Sequence, residues 1–255
     1  IIIVLYSVLS FSLMADYYVK DQKIYYKGYD HKNGKFINYN DEVKNIDLDS
    51  FEQLNPFYAR DKNTVYFRGK ETDIDRNSIK IIRLNLVKDK NFVYYGDKKL
   101  KVSPKNFLFV NRKVSNESIP TVHAGSIFYV KDSQNAYHVE VDKDGNIKET
   151  KLDNADVGKL VSWNGILAKD EKSVYRYGEK IDYIDAVSFN GNGLDYGKDK
   201  NNWYYGVIKI KNADYKSFKE IKGSLTFAKD KYNVFYEDKI IEGADKKSFE
   251  PLKNG

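Results

Sequence analysis

The chain has 255 residues, 41% hydrophobic and 15% aromatic, which is enough to bury a sizeable core. Only 4 Pro and 16 Gly are present, which excludes a collagen-like or Pro-rich disordered chain. The net charge of +6 comes from 43 basic and 37 acidic residues without a dense Lys/Arg block, so we interpret it as a solvated surface. The absence of Cys excludes disulfides and Cys-based zinc sites within this sequence.

The first fifteen residues, IIIVLYSVLSFSLMA, are uncharged and apolar. Their length is too short to cross a bilayer comfortably, but it suits the hydrophobic part of a secretory signal that lacks its Met and basic start. We predict a truncated signal peptide over residues 1–15, with cleavage after Ala15. An uncleaved anchor and a buried first strand are the alternatives. The expected mature chain is extracytoplasmic (periplasmic, cell-surface or secreted) and has no transmembrane span.

From residue 16 onward one phrase recurs: an Asp, usually within Lys-Asp-Lys-Asn, then an apolar residue and one or two aromatic residues. Such recurrence predicts a tandem array in which each unit buries its apolar face on a neighbour. The shortest separation is 28 residues, from Asp61 to Asp89, so the unit has about thirty residues with loop insertions. The seven anchors are Asp21, Asp61, Asp89, Asp132, Asp170, Asp199 and Asp230.

Each anchor is followed by a predicted turn and strand, because Asp and Asn side chains bond the local backbone of turns. The fourth and fifth residues after the anchor point to opposite faces of the strand, one inside the unit and one toward the next repeat. The sixth residue after the anchor is polar in two copies, His138 and Arg176, which predicts that this position lies on a half-exposed rim of the repeat. Exposed aromatic rings stack on sugars or bases, so the ligand-binding candidates at this position are Tyr95, Tyr205 and Tyr236. The alternative role for the 22 Tyr is to pack in the hydrophobic core between repeats.

A second phrase lies between the anchors: Asp, two variable residues, Ser, then Phe or Ile. An Asp at this place caps a helical turn, because its carboxylate accepts from the amides two and three residues further on. The apolar residue before the Asp and the Phe or Ile four after it have the spacing of a hydrophobic staple. The phrases begin at Asp47, Asp75, Asp185, Asp214 and Asp245. Between residues 101 and 154 the nearest match is Ser103-Pro104-Lys105-Asn106-Phe107.

These elements predict an all-β fold with short helical turns, built as a tandem array of small antiparallel β-hairpins or three-stranded units. An open solenoid-like array is favoured over a propeller-like one, because the unit is shorter than a four-stranded blade usually needs. We expect a single repeat domain of about seven units over residues 16–255, truncated at its C-terminus.

The segments DKNFVYYG and DKNNWYYG, with the spaced Asp-x-x-Ser-Phe phrases, resemble the bacterial DKNYY family. The resemblance covers nearly everything after residue 16. It implies a repeat protein of a family that frequently carries export signals and has no assigned reaction.

The sequence contains little that indicates catalysis. The three His residues, His31, His123 and His138, are far apart, and no phosphate loop, Rossmann fingerprint, nucleophile elbow or EF-hand loop is present. The Asp-rich turns place Lys among the carboxylates, which favours turn chemistry over a calcium site. We therefore predict no catalytic residue, no cofactor and no metal site.

The predicted function is that of an exported, non-enzymatic repeat protein: a binding or interaction scaffold for a protein or glycan at the cell envelope. One alternative is an envelope-associated glycan-binding or hydrolytic enzyme, which needs two carboxylates facing each other in a pocket. Another is a nucleic-acid-binding array, which needs basic residues beside exposed Tyr on one face. No nucleic-acid partner is expected.

Overall fold

A computed structural model of the protein describes residues 15–32, 35–110 and 126–251. They form 26 short β-strands and one three-residue 3₁₀ turn, Leu48–Ser50. The strands assemble into seven antiparallel sheets of three or four strands, and within each sheet the spatial order is the chain order. The predicted fold class, an all-β tandem array with short helical turns, is confirmed. The expected signal peptide lies outside the described residues, apart from Ala15.

The strands are numbered in chain order and the sheets likewise. Sheets 1 and 2 contain β1 (Asp16–Lys20), β2 (Lys23–Lys32) and β3 (Lys35–Glu42), then β4 (Glu52–Gln53), β5 (Tyr58–Arg60), β6 (Val65–Phe67) and β7 (Lys70–Glu71). Sheets 3 and 4 contain β8 (Lys80–Ile81), β9 (Leu86–Lys88), β10 (Val93–Tyr95) and β11 (Lys98–Leu100), then β12 (Leu108–Val110), β13 (Ile127–Lys131), β14 (Ala136–Val141) and β15 (Ile147–Lys151). Sheets 5 and 6 contain β16 (Val161–Ser162), β17 (Leu167–Lys169), β18 (Val174–Arg176) and β19 (Glu179–Ile181), then β20 (Tyr196–Lys198), β21 (Trp203–Tyr205) and β22 (Ile208–Lys209). Sheet 7 contains β23 (Lys219–Glu220), β24 (Phe227–Lys229), β25 (Val234–Tyr236) and β26 (Lys239–Ile240).

Five sheets have one strand more than the predicted three-stranded unit. In sheet 3, β8 follows a helical turn and pairs with β9, the strand that leads into the anchor Asp89. Lys80 lies opposite Lys88, and Ile81 lies opposite Val87. A unit therefore has four strands where the residues after the helical turn stay extended and pair with the strand that leads into the anchor.

The first hairpin departs from the other repeats. Asp21 and Gln22 form a two-residue turn between β1 and β2, with positive φ values of 51° and 57°. Asp tolerates the left-handed conformation that a type I′ hairpin turn requires. Asp21 is exposed, because its copy of the phrase is one residue too short for the longer turn that the other anchors cap.

The Asp-x-x-Ser-Phe phrases fold as single helical turns, as predicted. In one of them the Phe218 amide donates to the Asp214 carbonyl at 3.0 Å, and the Ser217 amide donates to the Asp214 carboxylate at 3.0 Å. The staple is formed too, because Ala213 and Phe218 belong to the same hydrophobic cluster. Each of the other four phrases has at least one of these two bonds. Their caps are Asp47, Asp75, Asp185 and Asp245.

Hydrophobic clusters lie between sheets 1 and 2, 2 and 3, 4 and 5, 5 and 6, and 6 and 7. In β6, Val65 packs with Val87 and Tyr94 of sheet 3, whereas its neighbour Tyr66 packs with Tyr26 of sheet 1. Both Val65 and Tyr66 are completely buried. One face of the strand packs toward the next repeat, as predicted, but the other packs on the preceding repeat and not inside its own unit. The two faces differ because side chains alternate along a strand.

The chain divides into two compact units. Unit 1 contains the described residues up to 105 with residues 126 and 141–147, and therefore sheets 1 to 3. Unit 2 contains residues 106–110, 127–140 and 148–251, and therefore sheets 5 to 7 and most of sheet 4. Across the described ranges, no helix has the length and apolarity needed to cross a bilayer. The single repeat domain over residues 16–255 stays a prediction.

Candidate functional site

The carboxylate of the Asp-Lys-Asn turn is satisfied by hydrogen bonds inside the protein. In sheet 6, Asp199 Oδ1 accepts from the amides of Asn201 and Asn202, both at 2.8 Å. Asp199 Oδ2 accepts from the Tyr204 hydroxyl at 2.7 Å and from the Asp185 amide at 3.1 Å. Burial by itself raises the pKa of Asp199, but these donors outweigh burial and hold the pKa below its ordinary value. Asp199 is 2% exposed, so it presents no free face to a ligand.

The same arrangement recurs along the chain. Six of the seven anchors are buried and accept from the amides two and three residues further on; they are Asp61, Asp89, Asp132, Asp170, Asp199 and Asp230. In five of them the carboxylate also accepts from the backbone amide of the preceding cap residue; these are Asp61, Asp89, Asp170, Asp199 and Asp230. The repeated Asp is therefore a structural residue.

The cap carboxylates are also bonded within the fold. Asp214 Oδ1 accepts from the Ser217 amide at 3.0 Å and the Ser217 hydroxyl at 2.7 Å, and Oδ2 lies 3.0 Å from Lys231 Nζ. The Lys231 amide donates to Ser217 Oγ at 3.0 Å. The Ser217 hydroxyl and the Lys231 ammonium lower the pKa of Asp214 to about 2. One network thus joins the Asp and Ser of the cap phrase to the Lys that follows the anchor. The same amide bond to Ser and the same ion pair with Asp are made by Lys62, Lys90 and Lys200.

The basic residue just before the anchor links one repeat to the next. Lys169 Nζ donates to the carbonyls of Ala186 at 3.0 Å and Phe189 at 2.8 Å, which belong to the helical turn of the following repeat. Lys side chains commonly bond the last carbonyls of a helix in this way. Burial lowers the pKa of Lys169. Equivalent contacts to backbone carbonyls are made by Arg60, Lys88, Lys131 and Lys229.

A shallow groove on unit 2 collects side chains that these networks leave at the surface. Its volume is about 420 Å³, and its lining residues are Arg176, Glu179, Lys180, Ile181, Asp182, Tyr183 and Val207. Tyr183 is 60% exposed. Its hydroxyl donates to the Val207 carbonyl at 3.1 Å, which fixes the ring at the side of the groove.

The polar side chains of this groove carry both signs of charge. Arg176 and Glu179 lie opposite each other in the register of β18 and β19. The Arg176 guanidinium lies over the Tyr177 ring, 5.4 Å from its centroid. Lys180 and Asp182 form an ion pair at 3.0 Å. The groove therefore combines an exposed aromatic ring with two cations and two carboxylates.

The repeats that build this groove match a known sequence family. The sequence profile of the DKNYY family matches residues 58–207 and 192–255. The chain belongs to the DKNYY family. No curated protein and no solved structure matches the chain.

The three tyrosines predicted to bind a ligand differ in exposure within these DKNYY repeats. Tyr95 is 7% exposed, and burial raises its pKa. Tyr205 is half-buried, with its ring 5.2 Å from that of Tyr196. Tyr236 is 45% exposed and lies 5.1 Å from the Phe227 ring. None of the three lines the groove, and a role in ligand binding stays a prediction.

The sixth position after the anchor is not a uniform rim. His138 at this position is completely buried, because the rings of Tyr129 and Tyr177 pack against it at 4.7 and 5.9 Å. His138 Nε2 lies 3.0 Å from the Gly165 carbonyl oxygen, and burial lowers the pKa of the imidazole. The predicted half-exposed rim is therefore wrong at His138 and at Tyr95. The side chains of His31 and His123 lie outside the described part of the chain.

One cap has no counterpart in the sequence predictions. The Asp156 amide donates to Asp170 Oδ2 at 2.8 Å, and the Gly158 amide donates to Asp156 Oδ1 at 3.0 Å. Lys159 and the buried Leu160 stand where the other phrases have Ser and Phe, which hides the pattern. The available signal was the 14-residue separation from cap to anchor, which sheets 2, 3 and 6 share.

Proposed function

We propose that this member of the DKNYY family is a non-enzymatic binding scaffold at the cell envelope, outside the cytoplasm. One observation carries the proposal: the Asp, Ser and Lys residues that define the repeated phrases bond to one another or to backbone inside the fold. Binding then falls to side chains that vary between repeats, as it does on the surfaces of solenoid proteins. The apolar, uncharged residues 1–15 support export.

A hydrolase is the weaker candidate. Glu179 and Asp182 are two carboxylates in one groove, as a carboxylate hydrolase requires. However, the Asp182 side chain is 81% exposed and paired with Lys180. A general acid needs an apolar, dehydrated setting, which this open surface lacks. Among the described residues, no group of three or more His, Asp or Glu side chains is placed to hold a metal ion.

The contacts of the basic residues weigh against a nucleic-acid-binding array. Lys169 donates to backbone carbonyls and Lys231 to a cap carboxylate. These cations stabilise the fold, so they are not available as a stripe for phosphates. We expect a protein or a glycan of the envelope as the partner.

A sedimentation assay with isolated cell walls tests the proposal. We expect the purified chain to be retained on the walls and to show no turnover on peptidoglycan, glycosidic or ester substrates. Turnover that disappears in Glu179→Gln or Asp182→Asn, with the fold intact, would overturn the non-enzymatic assignment.

Fractionation of the producing cells tests the location. The expected result is recovery of the protein with the envelope or the medium, at a mass shortened by removal of the N-terminal segment. Recovery of the uncleaved chain in the cytoplasmic fraction alone would contradict the proposed location.

A further inference from the structure

The groove on unit 2 gathers residues at which the repeats diverge. Tyr183 stands two residues before a cap, where three other repeats have Asn with positive φ: Asn45, Asn154 and Asn212. Arg176 stands where four other repeats have an aromatic residue: Phe67, Tyr95, Tyr205 and Tyr236. The same fold is built elsewhere in the chain with different residues. Tyr183 and Arg176 are therefore not demanded by the repeat, and both line one groove.

The Tyr183 ring is suited to stacking. It is 60% exposed, and its hydroxyl is held by the Val207 carbonyl at 3.1 Å. A ring immobilised before binding loses little conformational entropy when a ligand covers it. Its face is electron-rich and attracts the C–H groups of a sugar ring.

The charges of the groove select the ligand class. An anionic ligand that approached Arg176 and Lys180 would meet the carboxylates of Glu179 and Asp182, and a cationic ligand would meet the two cations. A neutral polyol uses both, because its hydroxyl groups donate to carboxylates and accept from a guanidinium. The Arg176 guanidinium is positioned for this by its contact with the Tyr177 ring.

We propose that this groove binds one pyranose ring of a neutral glycan. Tyr183 stacks on the face of the sugar, while Arg176, Glu179 and Asp182 bond to its hydroxyl groups. The volume of about 420 Å³ lies within the range of roughly 300 to 1,000 Å³ of small-ligand sites. The inference rests on the proposed function, because it names the ligand class of the binding scaffold.

The test uses the whole purified chain with cellotriose, maltotriose and triacetylchitotriose, and a heparin trisaccharide as the anionic comparator. Calorimetry and saturation-transfer NMR measure binding. We expect saturable binding of a neutral trisaccharide, with saturation transfer to its ring C–H protons. Tyr183→Asn, which installs the residue of the other repeats, should lower the affinity about tenfold or more. Tyr232→Ala removes a ring that is 64% exposed outside the groove, and it should leave the affinity unchanged.

Arg176→Tyr is the second variant, because Tyr occupies this position in other repeats and preserves the fold. It should weaken binding of the same trisaccharide. No saturable binding of any neutral probe by the folded chain, full affinity in Tyr183→Asn, or preferential binding of the heparin trisaccharide would each overturn the inference.

Cell-wall retention separates this inference from the proposed function. Equal retention of the wild-type chain and Tyr183→Asn on walls, with no trisaccharide binding, would remove the groove as a glycan site and leave the scaffold in place. Groove-dependent trisaccharide binding without wall retention would support the inference and contradict the envelope partner.

Discussion

Asp199 accepts a hydrogen bond at 3.1 Å from the amide of Asp185, fourteen residues earlier in the chain. Asp185 caps a helical turn, and Asp199 caps the turn of the following hairpin. The bond therefore joins the two repeated phrases into one unit. Since Lys200 also donates to Ser188 Oγ and lies 2.9 Å from Asp185 Oδ2, each phrase supplies hydrogen-bonding partners for the other.

The anchor carboxylate should be costly to replace. We expect Asp199→Asn to lower the free energy of unfolding by about 2 to 4 kcal/mol, because Asn has one acceptor oxygen and leaves buried donors of the turn unpaired. Urea denaturation measures the change. Asp21→Asn is the matched control, because Asp21 belongs to the same sequence phrase but is exposed in a two-residue turn. Equal effects of the two substitutions would contradict the buried-anchor interpretation.

The aromatic residue of the helical turn should contribute through burial. Phe218 is 5% exposed and packs on the rings of Trp203, Tyr196 and Phe235, at 4.7, 5.5 and 5.2 Å. We expect Phe218→Ala to cost about 3 to 5 kcal/mol in thermal or urea unfolding. Phe249→Ala should cost clearly less, because Phe249 is only half-buried. An unchanged melting temperature in Phe218→Ala would count against the staple.

The cap carboxylates should make stability depend on acid pH. The pKa of Asp214 in the folded protein is about 2, against an ordinary value of 3.8. A depressed folded pKa means that the unfolded chain binds the proton more readily, so the stabilisation is full above pH 3.8 and is lost as the pH falls toward 2. Asp214→Asn removes this titration. Its melting temperature should fall less steeply than the wild-type value over this interval, and parallel curves for the two proteins would refute the assignment.

The basic residue before the anchor should stabilise the stacking of repeats. We expect Lys169→Met to cost about 1 to 3 kcal/mol, because two backbone carbonyls of the next helical turn lose a charged donor. Hydrogen exchange should show faster opening around Phe189. The control is Lys172→Met, in the same turn at an exposed position. A loss of stability in Lys172→Met that matched that of Lys169→Met would argue against a specific role for Lys169.

The local elements were predictable because their determinants are close together in the chain. The capped helical turn at Asp214 depends on Ser217 and Phe218, three and four residues away, and the Asp199 turn depends on Asn201 and Asn202. The burial of the sixth position was not predictable. Tyr95 is buried whereas Tyr236 is 45% exposed, although both follow their anchors at the same distance. Exposure at this position depends on the tertiary contacts of each repeat, such as those of the Tyr129 and Tyr177 rings with His138.

The sequence by itself determined the repeat, the short strands, the Asp-Lys-Asn turns and the capped helical turns of this DKNYY protein. Contacts within a few residues decide these features, and the chemistry of Asp, Ser and Phe at those spacings is specific. Only the tertiary structure decided that the Asp185 amide reaches Asp199 and that Arg176 and Tyr183 line one groove. Those relationships join separate turns and consecutive repeats, and they arise from the packing of one sheet on the next, which a repeat pattern does not specify.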